Sequence, residues 1–249
     1  MLLKNKVAII TGSGRGIGQA IAVDLARNGA NVVLVSRSMD ELVSLSKTIK
    51  HFKVKTLPLK ADISSEEDVK YIFCQTMLVF KRLDILVNNA GIHLLKPILD
   101  TTIEEWNRVI EVNLKGTFLC CREALKIMIP QNNGKIINIS SASGLKGSSN
   151  LSAYCASKFG QIGLTQVIAD EIKDLNININ AILPSAVSTK IIRDSYPGVD
   201  YNIFIKPDNI AKVVTFMVSE NASAIKGASI EVYNAQNYKN YREMLSKSL

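Results

Sequence analysis

Tyr154 and Lys158 stand four residues apart in a stretch with helical spacing, so their side chains share one face, one turn apart. A free phenol titrates at about pH 10, too high for ready proton exchange at neutral pH. A lysine ammonium beside it favours the phenolate and lowers that value. Such a pair can give a proton in one direction of a reaction and take it in the other. Tyr-x-x-x-Lys also recurs by chance, so its weight comes from its surroundings. Here Ser140-Ser141 follows a strand-like run upstream, and a glycine-rich turn follows the first such run of the chain.

That turn reads Thr11-Gly12-Ser13-Gly14-Arg15-Gly16-Ile17-Gly18 and leads into a helical segment. Glycines at this junction permit a tight turn and close approach of backbone to a pyrophosphate. The helix start adds unpaired N–H groups and the positive end of a dipole. No Gly-Lys-Ser/Thr follows, which excludes a nucleotide P-loop. The second strand-like run ends in Ser36-Arg37. A carboxylate there would accept from the ribose 2′-hydroxyl of NAD. A neutral serine and an arginine, with Arg15 nearby, suit the 2′-phosphate instead. The expected cofactor is therefore NADP(H) in preference to NAD(H), bound by Gly12, Ser13, Gly14, Arg15, Gly16, Ile17, Gly18, Ser36 and Arg37.

These residues need elements to hold them. Short apolar runs rich in β-branched residues recur at Lys6–Thr11, Asn31–Ser36, Val54–Leu59, Leu83–Val87, Lys135–Ile139, Ile177–Ile182 and Ala228–Tyr233. Continuous apolar runs suit a parallel sheet covered on both faces. Helical spacing falls between them, over Gly16–Asn28, from a Ser64/Glu67 capping box to about Phe80, from a Thr102/Glu105 box to about Met128, over Ser152–Lys173 and over Pro207–Ser219. Alternation of this kind predicts an α/β chain: a single-domain, doubly wound Rossmann fold of about seven parallel strands flanked by helices. Residues 1–236 form the expected core and 237–249 a tail. Ligands of such sheets bind beyond the carboxyl ends of the strands. Residues 185–206, with Ile191, Ile192, Tyr196, Tyr201 and Phe204, read as a lid over the substrate.

Composition narrows the remaining classes. Hydrophobic residues make up 47% of the chain and charged residues 21%, enough for a large core. The formal net charge of +8 is spread without a basic stripe, which argues against nucleic acid. Four cysteines without a C-x-x-C pair and two isolated histidines argue against a structural metal or a disulfide framework. No apolar run is long enough to span a membrane, and the expected location is the cytoplasm.

In sum, the motifs resemble those of the short-chain dehydrogenase/reductase family, over nearly the whole chain. The matching residues are Thr11–Gly18, Asp62, Asn88-Asn89-Ala90-Gly91, Asn113, Ser141, Tyr154-x-x-x-Lys158, and Pro184 with Thr189. The look is nearest to 3-oxoacyl-carrier-protein reductases, although Leu175 stands where those often carry a basic residue. The resemblance implies hydride transfer between a nicotinamide and a ketone or secondary alcohol, with Asn113, Ser141, Tyr154 and Lys158 catalytic. Tyr154 is then the acid or base, and Ser141 bonds the substrate oxygen. Lys158 also bonds the nicotinamide ribose, and Asn113 holds a water linking Lys158 to solvent. Asp62 and Ile63 meet the adenine, Asn89, Ala90 and Gly91 pass under the adenosine ribose, and Pro184, Val187 and Thr189 contact the carboxamide. A 3-oxoacyl thioester is one candidate substrate; polyols, sugars and sterols are others, and an idle NADP(H)-binding sensor or scaffold is the alternative of another class. The resemblance also implies a homo-oligomer, a tetramer with a dimer as the fallback.

Overall fold

The computed structural model describes residues 1–195, 198 and 200–234. Tyr196 of the expected lid and the tail at 237–249 lie outside the described residues. Seven strands form one parallel sheet: β1 (Val7–Thr11), β2 (Asn31–Ser36), β3 (Thr56–Lys60), β4 (Ile85–Asn88), β5 (Gly134–Ile139), β6 (Ile177–Pro184) and β7 (Ser229–Val232). Their spatial order is β3-β2-β1-β4-β5-β6-β7. The order reverses between β1 and β4, where a crevice opens above the carboxyl ends. This is the Rossmann-type doubly wound sheet that the alternating pattern predicts.

The helices are α1 (Gly16–Arg27), α2 (Met39–Ile49), α3 (Glu66–Phe80), α4 (Ile103–Ile110), α5 (Gly116–Gln131), α6 (Ser152–Glu171), α7 (Lys190–Ser195) and α8 (Pro207–Met217). Two cores sit on the two faces of the sheet. Ala8, Ile10, Val32 and Leu34 pack with Ile21 and Leu25 of α1, Leu42 and Leu45 of α2 and Ile210 and Val214 of α8. Their strand neighbours Val7, Ile9, Val33 and Val35 face the other way. They pack with Ile72 of α3, Leu119 and Ala124 of α5 and Ile168 of α6. Period-two alternation with apolar residues at both phases is what a doubly covered strand requires.

Several boundaries differ from the sequence reading, each for a local reason. Strand β3 starts at Thr56, not Val54, and lies at the sheet edge, where Pro58 lacks no partner it needs. The opposite edge, β7, is half-exposed, unlike the buried runs expected. Helix α3 is capped by Ser65, whose side chain accepts from Asp68 N, one residue beyond the Ser64/Glu67 box. Ser64 Oγ is drawn instead to Asp62 Oδ1 at 2.7 Å. The Thr102/Glu105 box is present as expected. The long helix after it is not continuous α: a π-helical turn at Glu111–Lys115 divides α4 from α5. It runs past Met128 and stops at Asn132, which adopts a left-handed conformation. Helix α2 is an element the pattern reading passed over, although Leu42, Leu45 and Ile49 are its buried stripe.

Candidate active site

A cavity of about 1470 Å³ lies along the carboxyl ends of the strands. Each expected segment lines it: the loop after β1 (Gly12 to Ile17), Ser36 and Arg37 after β2, Asp62 and Ile63 after β3, Asn89 to Gly91 after β4, Ser141 after β5, and Pro184, Val187 and Thr189 after β6. Tyr154 and Lys158 reach it from α6. Three predicted residues do not line it: Ser13 is fully buried against Val35 O, Gly18 is the third residue of α1, and Asn113 is wholly buried behind it.

At the glycine loop the backbone itself is the recognition element. Gly12 has φ +64, and a Cβ there would come within 2.8 Å of Ala90 Cα. A Cβ on Gly18 would overlap the Gly12 carbonyl oxygen. The loop is tied to β4: Asn89 Nδ2 donates to the Thr11 and Gly12 carbonyls at 3.0 and 3.1 Å, and Thr11 Oγ1 accepts from the Asn89 and Ala90 N–H groups. Helix α1 begins with no side-chain cap and no acid in its first turn, so its leading N–H groups stay open to an anion. A cradle that side chains would fill, with unpaired donors at its mouth, fits a pyrophosphate.

The charges around it are exposed. Arg37 is exposed and has no ion-pair partner among the described residues. Arg15 pairs with Glu41 at 3.6 Å, an acid of α2 that the sequence reading did not single out. Ser36 Oγ donates to Ser38 O at 3.0 Å and accepts from Ser38 N. Asp62 is engaged by Ser64 and by Arg108, whose Nη2 lies 2.9 Å away. Burial opposes the Asp62 charge, but the hydrogen bonds from Ser64 and Arg108 outweigh it and hold the carboxyl at about 2.

The other end of the cavity is buried and closely bonded. Lys158 Nζ donates to Ile139 O at 2.8 Å and to Gln161 Oε1 at 2.9 Å, and lies 5.7 Å from the Tyr154 ring centre. Burial pulls the Lys158 ammonium down to about 7. Ser141 Oγ accepts from Ser143 N at 3.1 Å, which leaves its O–H for the cavity. Asn113 sits in the π turn, wholly buried. Its side chain is spent on structure: Oδ1 accepts from Ile92 N, and Nδ2 donates to Ile92 O and Ser157 Oγ. Its carbonyl accepts from Thr117 Oγ1 and Gln161 Nε2, both at 2.7 Å, so the link from Asn113 to Lys158 runs through an amide side chain.

The sequence reading missed three residues here. His93 stacks edge-on to Tyr154 with ring centres 4.8 Å apart; burial and the Lys158 charge push its pKa down. Arg108 holds Asp62. Gln161 holds Lys158, and its signal was in the chain: Tyr154, Lys158, Gln161 and Thr165 make a polar stripe at helical spacing on an otherwise buried face. Of the lid residues, Phe204 is buried and Ile192 lines the cavity.

Comparison with known proteins gives the same picture. The model of the short chain dehydrogenase family matches residues 6–199. A short-chain dehydrogenase/reductase of Armillaria gallica is 39% identical, over 92% of this chain and 95% of its own. A 3-oxoacyl-[acyl-carrier-protein] reductase of Thermotoga maritima is 33% identical, over 93% and 98%. A crystal structure of levodione reductase superposes with a TM-score of 0.90 at 33% identity, covering 94% of this chain and 98% of that one.

Proposed function

The chain belongs to the short-chain dehydrogenase family, whose oxidoreductases act on carbonyl and alcohol groups, and from that premise we propose that it is an NADP(H)-dependent reductase of ketones and dehydrogenase of secondary alcohols. When bound, the dinucleotide supplies or accepts the hydride. The protein's own groups manage the proton and the orientation. Tyr154 donates its phenolic proton to the carbonyl oxygen in reduction and withdraws it in oxidation. Lys158 stabilises the phenolate by its charge and bonds the ribose hydroxyls. Ser141 donates to the substrate oxygen. The observation that carries this reading is a lysine buried beside the Tyr154 ring, at the end of a cavity whose other end is a glycine cradle.

Preference for NADP(H) is supported by Arg37, exposed and without an ion-pair partner among the described residues at the end of β2, where no carboxylate stands. Arg15 can join it by leaving Glu41, since an exposed pair of this kind holds little energy, about 0–1 kcal/mol. Asp62, Ile63, Asn89, Ala90 and Gly91 would hold the adenosine, and Pro184, Val187 and Thr189 the carboxamide. We read the chain as one catalytic domain working in the cytoplasm as a homo-oligomer. Phe118 and Ile129 of α5 and Phe159 and Val167 of α6 are exposed apolar residues on the two helices that an oligomer would cover.

The substrate test is a screen following NADPH absorbance across acetoacetyl thioesters, cyclic diketones and sugars. The named similarities motivate the first two classes. Turnover of a ketone with NADPH, and little with NADH, is the expected result. Tight binding of NADPH with no turnover of any class would favour the sensor or scaffold reading instead.

A further inference from the structure

Gln161 lies on the same face of α6 as Lys158, almost one turn further on, and is fully buried. A buried amide must satisfy both of its ends. Its oxygen accepts from Lys158 Nζ at 2.9 Å, and its nitrogen donates to Asn113 O and Thr117 Oγ1, each at 2.7 Å. Only one orientation works, because an ammonium accepts nothing and the amide oxygen must face it. Thr117 Oγ1 also donates to Asn113 O, so protein donors fill both lone pairs of that carbonyl. The Lys158 side of α6 is thus bonded to the Asn113 carbonyl through Gln161, in addition to the bond from Asn113 Nδ2 to Ser157 Oγ.

We infer that Gln161 is a positioning residue for the reaction: its amide ties Lys158 to the Asn113 turn and favours the charged form of the lysine. This rests on the proposed roles of Tyr154 and Lys158. An acceptor bonds an ammonium more strongly than it bonds a neutral amine. Gln161 Oε1 and Ile139 O therefore both oppose the burial that drives Lys158 toward neutrality. They use two of its three N–H donors and leave the third for the cavity. Among the described residues the titratable groups facing Lys158 are Tyr154 from α6 and His93 from the loop after β4. Through Gln161 it is linked to Asn113 of the π turn and Thr117 of α5, and the end of β5 supplies Ile139 O, none of them charged. A change at Gln161 must then be read mainly by Lys158, and through it by Tyr154.

The test is an NMR titration of the Lys158 ε-carbon in the protein without cofactor, the signal assigned by its loss in Lys158→Met. Gln161→Met keeps the length and removes the amide. It should lower the pH at which Lys158 gives up its proton by about one pH unit. Gln161→Glu puts a carboxylate in the same place and should raise it. Equal titration in the parent and both variants overturns the inference, whatever happens to their melting temperatures; a purely packing role would move only the latter. The alcohol-oxidation profile of Gln161→Met should move to higher pH, because a less charged lysine favours the phenolate less. A shifted Lys158 with an unshifted rate profile would refute the link to the reaction. If Tyr154→Phe turned over at the parental rate, the acid assignment would fall, and the titration would still decide the role of Gln161.

Discussion

At the β1–β2 end of the cavity the recognising groups are backbone and exposed charge: Gly12 and Gly18 at close approach, an uncapped helix start, and Arg15 and Arg37 in solvent. At the α6 end they are side chains out of solvent, with Lys158, Gln161, Asn113 and Thr117 joined in one hydrogen-bonded set. The first end recognises a group that arrives with its own charge and needs room and unpaired donors. The second must hold a proton at a controlled affinity, which water would level. Substitutions should therefore act differently at the two ends. The first should respond in binding and in salt dependence. The second should respond in rate and in pH.

The largest effect after loss of the acid itself belongs to Lys158. Lys158→Met should lower the rate by at least about 10²-fold and weaken NADP(H) binding. It should also raise stability at pH 7, by at most about 4–5 kcal/mol from the ~3.4 pH units that separate the folded and unfolded values, because an apolar side chain replaces a charge held in a dry place. Burial pulls Lys158 down to about 7 in the folded protein, from about 10.4 in an unfolded chain. Between those values the unfolded chain binds the extra proton, so parental stability rises with pH. The advantage of the Met variant should be full below pH 7 and gone near pH 10.5. Urea unfolding across that range measures it, and a variant less stable at pH 7 breaks the contrast.

At the glycine end, Gly18→Ala should cost about 1–3 kcal/mol of stability and about tenfold or more in NADP(H) affinity. Its Cβ overlaps the Gly12 carbonyl oxygen, and backbone cannot step aside as a flexible side chain can. Calorimetric binding checks this, and unchanged affinity would mean that the close approach is not needed. Arg37→Ala should give a smaller effect still: NADP(H) about fivefold to tenfold weaker, with NAD(H) unchanged. Salt should erode the same difference in the parent. Ser36→Asp combined with Arg37→Ala should reverse the preference. A parent that binds NAD(H) more tightly than NADP(H) contradicts the proposed roles of both residues.

The strands, the glycine loop and the Tyr154/Lys158 pair were legible because each depends on local pattern: period two, a turn that only glycine fits, one helical turn of spacing. The boundary at Ser64 misled because two serines adjoin two acids, and the choice of cap was settled by Asp62 drawing Ser64 away. The π turn was not legible, since Glu111–Lys115 continues the helical spacing on both sides. Arg108 was missed because its partner Asp62 lies 46 residues away in the chain; Gln161 stands in the polar stripe of α6 beside Lys158, and only its bond to Asn113, 48 residues away, was beyond local pattern. His93 meets Tyr154 only because β4 and β5 are neighbours, a fact of topology that spacing does not carry.

The most direct measurement compares Tyr154→Phe with the parent on any ketone that the protein reduces. The ring and its packing beside His93 remain, and only the hydroxyl is lost. The variant should fold, bind NADPH as the parent does, and turn over at least about 10²-fold more slowly at every pH. A variant that folds, binds NADPH and keeps the parental rate would contradict the assignment of Tyr154 as the proton donor.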